Sequence, residues 1–339
     1  MSDPETFILP LPDTLKLAVE NAHPLDARVV FDPVTHKYFV DGKRYPGSVS
    51  GFYGEYFDHF DGAAVVDKYW NNWKTKKDNK YHYLIAFLTG TLGFDDDLAK
   101  LEIRKLWGDA GEAASRLGTT THEQIEYHIN DILENVDSPE FQMFLEWRKT
   151  HPAWEPYRSE WSVFSEDIKA LVTGQIDSIW RDTATGLFHM VDWKRVAEMK
   201  MVAFNNEMGR PPLNRIPNTN YGHYIVQQNL YTALVEQPCY GLKIESMLLV
   251  QVHPNLDGFI EWPLPRLDHE VATMFADRCA RVLRGELRTE TIEEVFAAQK
   301  RKREDTEEAE RAKAREALRR DKIVEFLLLR VEEMKFHLQ

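Results

Sequence analysis

Two acidic residues and a lysine fall on what the sequence predicts to be one β-hairpin. Asp177 lies in the first strand, and Asp192 and Lys194 lie near the end of the second. Both strands are rich in branched and aromatic residues, and residues 182–186 between them favour a turn. Counting equally back from the centre of this turn places Asp177 opposite Asp192.

The facing carboxylates predict a site for a divalent cation. Two like charges on neighbouring strands destabilise a sheet unless they share a proton or a cation. Hard oxygen ligands held in this way suit magnesium or manganese. Because side chains alternate along a strand, Lys194 shares a face with Asp192 and would lie next to the cation.

His122 is a further candidate ligand. Thr120 followed by Glu123 is a capping box, which predicts that a helix begins there with His122 in its first turn. The positive end of a helix disfavours an imidazolium, and the neutral imidazole is the form that binds a metal. Glu126 lies one turn further on the same face, where a solvated carboxylate is the alternative. Glu160 precedes the hairpin and either supports the site or forms a strand-edge salt bridge.

Three motifs occur in the order found in one nuclease superfamily. They are Gly118-Thr-Thr-Thr-His122-Glu-Gln-Ile-Glu126, then Asp177 with Asp192-Trp193-Lys194, then Gln227-Gln-Asn-Leu-Tyr231. Together they resemble the RecB-like branch of the PD-(D/E)XK nuclease superfamily, which includes the mitochondrial genome maintenance exonuclease. The similarity spans roughly a third of the chain, with weaker similarity in residues 36–38 and 45–49.

The resemblance implies a restriction-endonuclease-like core that hydrolyses phosphodiester bonds with Mg²⁺ or Mn²⁺. The metal would activate water and stabilise the charge of the reacting phosphate. Lys194 would orient the attacking water or the phosphate. Gln227 and Tyr231 would position the DNA strand. The implied metal ligands are His122, Asp177, Asp192 and the backbone carbonyl of Trp193.

Two segments are candidates for contacting DNA. Gln227 and Tyr231 are four residues apart and share a helix face, although an ordinary amphipathic helix has the same pattern. In residues 68–83 lysines alternate with aromatic residues, which can stack on unpaired bases while the lysines hold the backbone. The alternative is a helix with its rings in the core and its lysines in water. The candidates in this segment are Lys74, Lys76, Lys77, Trp70 and Trp73.

Composition limits the class of protein. A chain of 339 residues with 43% hydrophobic residues can bury a sizeable core. Its two cysteines, Cys239 and Cys279, cannot supply the four thiolates of the iron-sulfur cluster found in some RecB-like nucleases. The N-terminus has no apolar signal core, and no run approaches the roughly 20 apolar residues of a membrane span. We therefore expect a soluble intracellular protein, cytoplasmic or nuclear, without a membrane contact.

The formal net charge of −13 counts against a protein covered with basic DNA-binding surface. Charge acts locally, however. A catalytic cleft needs only a stripe of cations to neutralise a few phosphates, and an acidic exterior discourages unproductive binding. The net charge therefore does not exclude DNA as the partner.

We predict an α/β fold with a mixed central sheet flanked by helices. Residues 1–292 would form the PD-(D/E)XK nuclease domain with an N-terminal helical elaboration. Residues 293–339 would form a charged helical extension, whose apolar stripe would fold back or bind another chain. Residues 196–220 lack periodicity and predict a mobile loop beside the metal site. Strands are predicted at 154–164, 170–180, 187–194 and 244–253, a hairpin at 29–45 with its turn at Asp41-Gly42, and helices at 141–149 and 267–283.

The function that these expectations favour is an exonuclease on single-stranded or end-containing DNA, in replication, repair or recombination. A structure-specific or non-specific endonuclease would use the same chemistry. A non-catalytic nucleic-acid-binding or assembly protein built around the C-terminal helix is an alternative from another class. A two-carboxylate glycosidase fits less well, because its chemistry has no place for Lys194 and His122.

Overall fold

A computed structural model describes residues 15–32, 37–298, 300–301, 303–308 and 310–311. The helices are α1 Lys16–Glu20, α2 Val49–Gly54, α3 Gly62–Thr75, α4 His82–Ala86, α5 Asp96–Ile129, α6 Pro139–Thr150, α7 Asn220–Val235 and α8 Asp268–Leu283. The strands are β1 Val29–Asp32, β2 Lys37–Val40, β3 Lys43–Arg44, β4 Gly47–Ser48, β5 Trp154–Phe164, β6 Val172–Asp182, β7 Phe188–Lys194, β8 Ile244–Gln251, β9 Ile260–Pro263 and β10 Glu290–Thr291. Apart from the start of α5, the strands and helices predicted from the sequence are present, with ends that shift by one or two residues.

A small antiparallel sheet is formed by β1, β2, β3 and β10. The turn between β2 and β3 is Asp41-Gly42, as predicted, and both residues have positive φ values of 50° and 73°. Two residues of this kind form the turn whose twist matches that of the strands it joins.

The central sheet has six strands of mixed direction. β6 pairs with β5 and β7 antiparallel and with β4 parallel, while β8 joins β7 parallel and β9 antiparallel. In the β6–β7 hairpin, Ser178 pairs with Val191. Extending this register by one residue sets Asp177 opposite Asp192, so the predicted register is confirmed.

Helices cover both faces of the central sheet. On one face, α2, α7 and α8 pack through Phe52, Leu230 and Phe275. On the other, α6 and the end of α5 pack through Phe144 and Ile125 against aromatic residues of the sheet. Adjacent residues of one strand enter opposite cores, as the alternation of strand side chains requires. The chain is therefore a mixed α/β protein with a mixed sheet between helical layers.

The helix that carries His122 is much longer than predicted. α5 has 34 residues and begins after Asp95, whose side chain caps it by accepting from the Leu98 amide. The predicted start at Thr120 is wrong. The threonines there do not act as caps, because Thr119 and Thr121 donate back to carbonyls four residues earlier, within the helix. His122 is consequently near the C-terminal end of α5, and the argument from a positive helix end does not apply.

A separate helical unit consists of α3, α4 and the first turns of α5. Its core contains Val66, Trp70, Ile85 and Ile103. α5 continues from this core to the one beneath the central sheet, over a length of about 51 Å at about 1.5 Å per residue. The middle of α5 is exposed on most sides, and the helix links the helical unit to the sheet.

The segment 196–219 is a loop, as predicted, but contacts hold it in place. Leu213 is fully buried, and Met208 pairs with Pro217 in an isolated bridge. The amide of Arg210 donates to the Tyr56 carbonyl at 2.7 Å. These contacts fix the path of the loop, and its mobility beside the metal site stays a prediction.

The start of the C-terminal extension is helical at residues 292–298 and at the described positions between 300 and 311. The predicted apolar stripe at residues 323–338 lies outside the described residues. Within the described part of the chain, no helix combines the length and apolar character needed to cross a membrane.

Candidate metal centre

His122 lies among polar groups at the end of β7. Its Nε2 is 2.8 Å from the carbonyl oxygen of Trp193. Its Nδ1 is 3.4 Å from Asp177 Oδ2 and 3.7 Å from Glu160 Oε1. The ring therefore bridges the backbone of β7 and two carboxylates, with Nε2–H placed to donate to Trp193 and Nδ1 turned towards the acids.

Glu160 also belongs to this group, and its backbone is irregular within β5. The strand pairs on either side of it place Glu160 opposite Asp177 on β6. Its φ is 41°, in the left-handed region that a non-glycine residue adopts only at a cost. Strain of this kind is concentrated at functional sites. Glu160, which the sequence suggested only as a supporting acid or a salt-bridge partner, is thus in direct reach of His122.

The acids concentrate negative charge around His122. Burial acts to lower the pKa of His122, but the charge of Asp177 and the hydrogen bond and charge of Glu160 outweigh it and raise the pKa to about 9. Burial, with the charges of Glu160 and Glu123, raises the pKa of Glu126 to about 8. A bound cation would relieve this concentration of negative charge.

The donor atoms fit a divalent cation. His122, Glu160 and Asp177 each offer one ligand atom, and these atoms lie within 4.8 Å of one another. Two carboxylate oxygens with one imidazole nitrogen suit manganese or magnesium. A histidine that binds a metal through one nitrogen usually donates its other N–H to a carbonyl or carboxylate. In this structure the Trp193 carbonyl occupies that orienting position.

Asp192 and Lys194 form an ion pair beside the cluster. Lys194 Nζ is 2.6 Å from Asp192 Oδ2, and Gln228 Nε2 donates to Oδ1 at 2.7 Å. Asp192 is 1% exposed, and its Oδ2 has no aligned hydrogen bond from any described residue. Burial, then the charge of Asp177, raises the pKa of Asp192 to about 7, while Lys194 acts to lower it. The predicted pair on one strand face is present, although Asp192 is outside the group of three clustered ligands.

Lys194 is held in its charged form. Burial acts to lower the pKa of its ammonium, but the charges of Asp192 and Asp177 outweigh burial and raise it. The Nζ atom also lies 4.9 Å from the centre of the Tyr224 ring. A fixed positive charge of this kind can bind an anionic group of a substrate.

A cleft of about 580 Å³ opens over these residues. One wall is the exposed face of α5, and the other is the end of β7 with part of α7. Glu126, which the sequence left open as a solvated carboxylate, is one of its lining residues. The other functional side chains that line it are His122, Glu160, Lys194, Arg195 and Tyr224.

Gln227 and Tyr231 lie below the cleft. Tyr231 is 6% exposed, and its ring covers Gly174 so closely that a Cβ there would be 2.5 Å from the ring. Burial, with the charges of Asp177 and other neighbours, raises the pKa of Tyr231 well above its ordinary value. Gln227 keeps a buried Oε1 without a hydrogen bond among the described residues. The structure thus places Tyr231 as a support beneath the acids.

The lysine-rich segment 68–83 is at the other end of α5. Trp70 is buried and donates to Asp96, and Trp73 packs against the core of the helical unit. Lys74 forms an ion pair with the same Asp96, whereas Lys76 and Lys77 are exposed. The structure therefore does not bring these residues to the metal cluster, and its packing matches the predicted alternative of rings in a core.

Two residues at the site were not singled out from the sequence. Gln228 binds Asp192, and Tyr224 contacts Lys194. They are four residues apart on α7 and share a face. This spacing is visible in the sequence, but whether this face meets Asp192 and Lys194 depends on how α7 packs against the sheet.

No family model matches the chain, and no curated protein matches it. Among solved structures, it is similar to the crystal structure of SSO0001, with a TM-score of 0.22 and 15% identity over 40% of this chain and 53% of that one. The chain therefore spans about half the length of SSO0001. It is also similar to a "Putative exonuclease" from Eubacterium rectale, with a TM-score of 0.27 and 14% identity over 73% of this chain and 84% of that one. At such TM-scores the likeness carries no argument about function, which must come from the site.

Proposed function

We propose that this chain is a metal-dependent deoxyribonuclease of PD-(D/E)XK type that hydrolyses phosphodiester bonds with Mg²⁺ or Mn²⁺. The observation that carries the proposal is the cluster of His122, Glu160 and Asp177, of which His122 and Glu160 line a cleft together with Lys194. Three potential ligands and one fixed cation are what hydrolysis of an anionic phosphate ester requires.

His122 Nδ1 and the carboxylates of Glu160 and Asp177 would hold the metal. When bound, the metal lowers the pKa of a water molecule and neutralises charge on the phosphate. Donation from His122 Nε2–H to the Trp193 carbonyl fixes the plane of the ring, so that Nδ1 faces the carboxylates. Asp192, whose Oδ2 lies 2.6 Å from Lys194 Nζ, is the candidate for an additional ligand.

Lys194 would bind the phosphate or orient the attacking water. Asp192 and the Tyr224 ring fix the position of its ammonium. Gln228 in turn fixes Asp192. A charge that is already oriented need not reorganise during the reaction, which is the main source of electrostatic catalysis.

The substrate that we propose is DNA that is single-stranded or has free ends, cut by an exonuclease. An endonuclease would use the same residues, since the bond broken is the same. The two activities differ in whether DNA without ends is cut.

The test is a time course with end-labelled single-stranded, double-stranded and circular DNA, in Mg²⁺ or Mn²⁺. We expect metal-dependent loss of the linear substrates and survival of the circles, with no cleavage in EDTA. The matched control is Asp177→Asn, which keeps the shape of the side chain but removes a charged ligand. Cleavage of circles would change the activity to endonuclease. Equal cleavage by the control, or none by the wild type on any DNA, would contradict the proposal.

A further inference from the structure

Four aromatic rings form a continuous row on the helical unit and the loop that follows β7. Phe204 and Tyr69 meet edge to face with ring centres 5.9 Å apart. Tyr69 stacks with Trp73 at 6.1 Å and 16°, and Trp73 contacts Tyr81 at 4.4 Å. We call these four residues the aromatic row. It joins part of the lysine-rich segment to a loop that the sequence did not connect with it.

Phe204 presents its ring to solvent. It is 61% exposed, although Ala203 beside it is buried and anchors the loop. The next two residues, Asn205 and Asn206, both have left-handed backbones, with φ values of 56° and 55°. Asparagine adopts this conformation more readily than other residues with a Cβ, so the two residues form a tight turn directly after Phe204. The loop therefore holds the ring of Phe204 in water.

Lysines lie over the faces of the row. Lys68 Nζ is 5.3 Å from the centre of Tyr69, and Lys80 Nζ is 4.9 Å from the centre of Tyr81. Flat rings flanked by cations can stack on bases and bind the phosphates between them. The core of a protein interface is instead depleted in lysine. The composition of the surface thus favours a nucleic acid over a protein partner.

α5 contacts the row near its N-terminal end and carries His122 of the metal cluster nearer its C-terminal end. Trp107 of α5 contacts Trp73 and Tyr81. From Trp107 to His122 the helix rises about 22 Å, at about 1.5 Å per residue. Small residues occupy much of this interval, and Gly118 lines the cleft itself. A strand can therefore approach the backbone of α5 closely between the two sites.

We propose that the aromatic row, through the exposed ring of Phe204 at its end, binds unpaired bases of a single-stranded nucleic acid whose backbone follows α5 to the metal cluster. The inference rests on the proposed function for the identity of the ligand, and it adds where the strand is held and why unpaired bases are preferred. Stacking needs the face of a base to be free, so a duplex can use the row only at a frayed end.

The experiment measures binding in EDTA, where no cleavage occurs, by fluorescence anisotropy with a labelled oligothymidylate and a duplex of equal length. Phe204→Ala should weaken binding of the single strand about tenfold, the size of one lost stacking contact, and leave duplex binding unchanged. Phe204→Tyr should bind as the wild type, and Phe204→Leu as Phe204→Ala. The matched control is Phe296→Ala, because Phe296 is 63% exposed on the C-terminal helix. It should bind as the wild type.

Probe length gives a second reading. A strand that reaches from the row to the cluster must cover about 22 Å, or roughly six nucleotides if its bases stay stacked at about 3.4 Å each and fewer if it is extended. The affinity of the wild type should therefore rise with probe length until a probe spans both sites, and Phe204→Ala should lower the affinity at every length.

The outcomes separate this inference from the proposed function. Equal affinity of Phe204→Ala and wild type, equal losses on single strand and duplex, or no single-strand binding by the wild type would overturn the inference, even if the wild type cleaves DNA. Selective loss of single-strand binding in a protein that cleaves nothing would support the inference and contradict the nuclease proposal.

Discussion

The β6–β7 hairpin and the helical unit position their polar and aromatic side chains in different ways. In the hairpin, Asp177, Asp192 and Lys194 occupy positions that follow from a turn and a two-residue repeat. In the helical unit, the directions of Trp70 and Trp73 depend on where α5 packs. Local geometry fixes the first set, whereas contacts between distant segments fix the second.

The comparison shows which functional assignments a single sequence can support. A hairpin register is set over about twenty residues and leaves few alternatives. An alternation of lysine and aromatic residues on a helix is compatible with either side facing water. Variants in the two regions should therefore differ, with loss of catalysis in the hairpin and loss of stability in the helical unit.

The largest effect is expected from Lys194→Ala. Turnover should fall about 10³-fold, because a fixed positive charge beside the reacting phosphate is removed. Affinity for Mn²⁺ should be retained, since the ammonium is not a ligand. Steady-state kinetics with manganese calorimetry measure both. The matched control is Lys169→Ala, an exposed lysine paired with Glu166, and turnover near the wild-type value in Lys194→Ala would remove Lys194 from the reaction.

Trp70→Ala should act on stability. Removing a buried tryptophan and its bond to Asp96 should lower the free energy of unfolding by about 3 kcal/mol. Turnover per folded molecule should remain. Urea unfolding provides the measurement, with Lys74→Ala as control, because its exposed ion pair with Asp96 is worth at most about 1 kcal/mol. Unchanged stability with lost DNA binding would mean that Trp70 contacts DNA.

The metal-free protein should lose stability as pH rises. The folded pKa of His122, about 9, is above its ordinary 6.5, so its stabilising contribution is complete below pH 6.5 and is lost as pH rises through 9. The folded pKa of Asp192, about 7, is also above its ordinary value. The Asp192 carboxyl therefore also lowers the free energy of unfolding as pH rises to about 7. The melting temperature in EDTA should fall between pH 6.5 and pH 9. His122→Gln should reduce this fall, and an equal fall in that variant would contradict the assignment.

The smallest effect is expected from the lysines at the end of α3. If Lys76 and Lys77 bind phosphates, Lys76→Gln with Lys77→Gln should reduce the salt dependence of single-strand binding by about 0.7 in slope per lost contact. Lys74→Gln should change the slope less, because Lys74 is engaged with Asp96. Binding measured over a range of salt concentrations decides the matter. An unchanged slope would leave only the lysines over the aromatic row as phosphate contacts.

Much of the fold was predictable because strand and helix patterns are local. The limits of β5 and the hairpin could be read from alternation and turn residues, and the register placed Asp177 correctly. The start of α5 could not be predicted, because the Gly118-Thr-Thr-Thr sequence is locally a good helix start. Because both ends of α5 pack in hydrophobic cores, the helix continues through this sequence, and His122 lies near its C-terminal end.

The site was predictable only in part. The positions of Asp192 and Lys194 follow from their spacing in the sequence. Glu160 reaches the site because its own backbone is left-handed within a strand, and no sequence pattern predicted that conformation. Gln228 became a partner of Asp192 because of how α7 crosses the sheet. The backbone conformation of Glu160 and the crossing of α7 both depend on tertiary packing, which one sequence does not specify.

Titration with Mn²⁺ by calorimetry tests most directly whether His122, Glu160 and Asp177 form a metal centre. We expect the wild type to bind the ion and Asp177→Asn to bind it at least about tenfold more weakly. Glu160→Gln should be weakened similarly. The matched control is Asp182→Asn, at the end of the same strand as Asp177, and it should bind as the wild type. Equal affinity in wild type, Asp177→Asn and Glu160→Gln would contradict the metal centre.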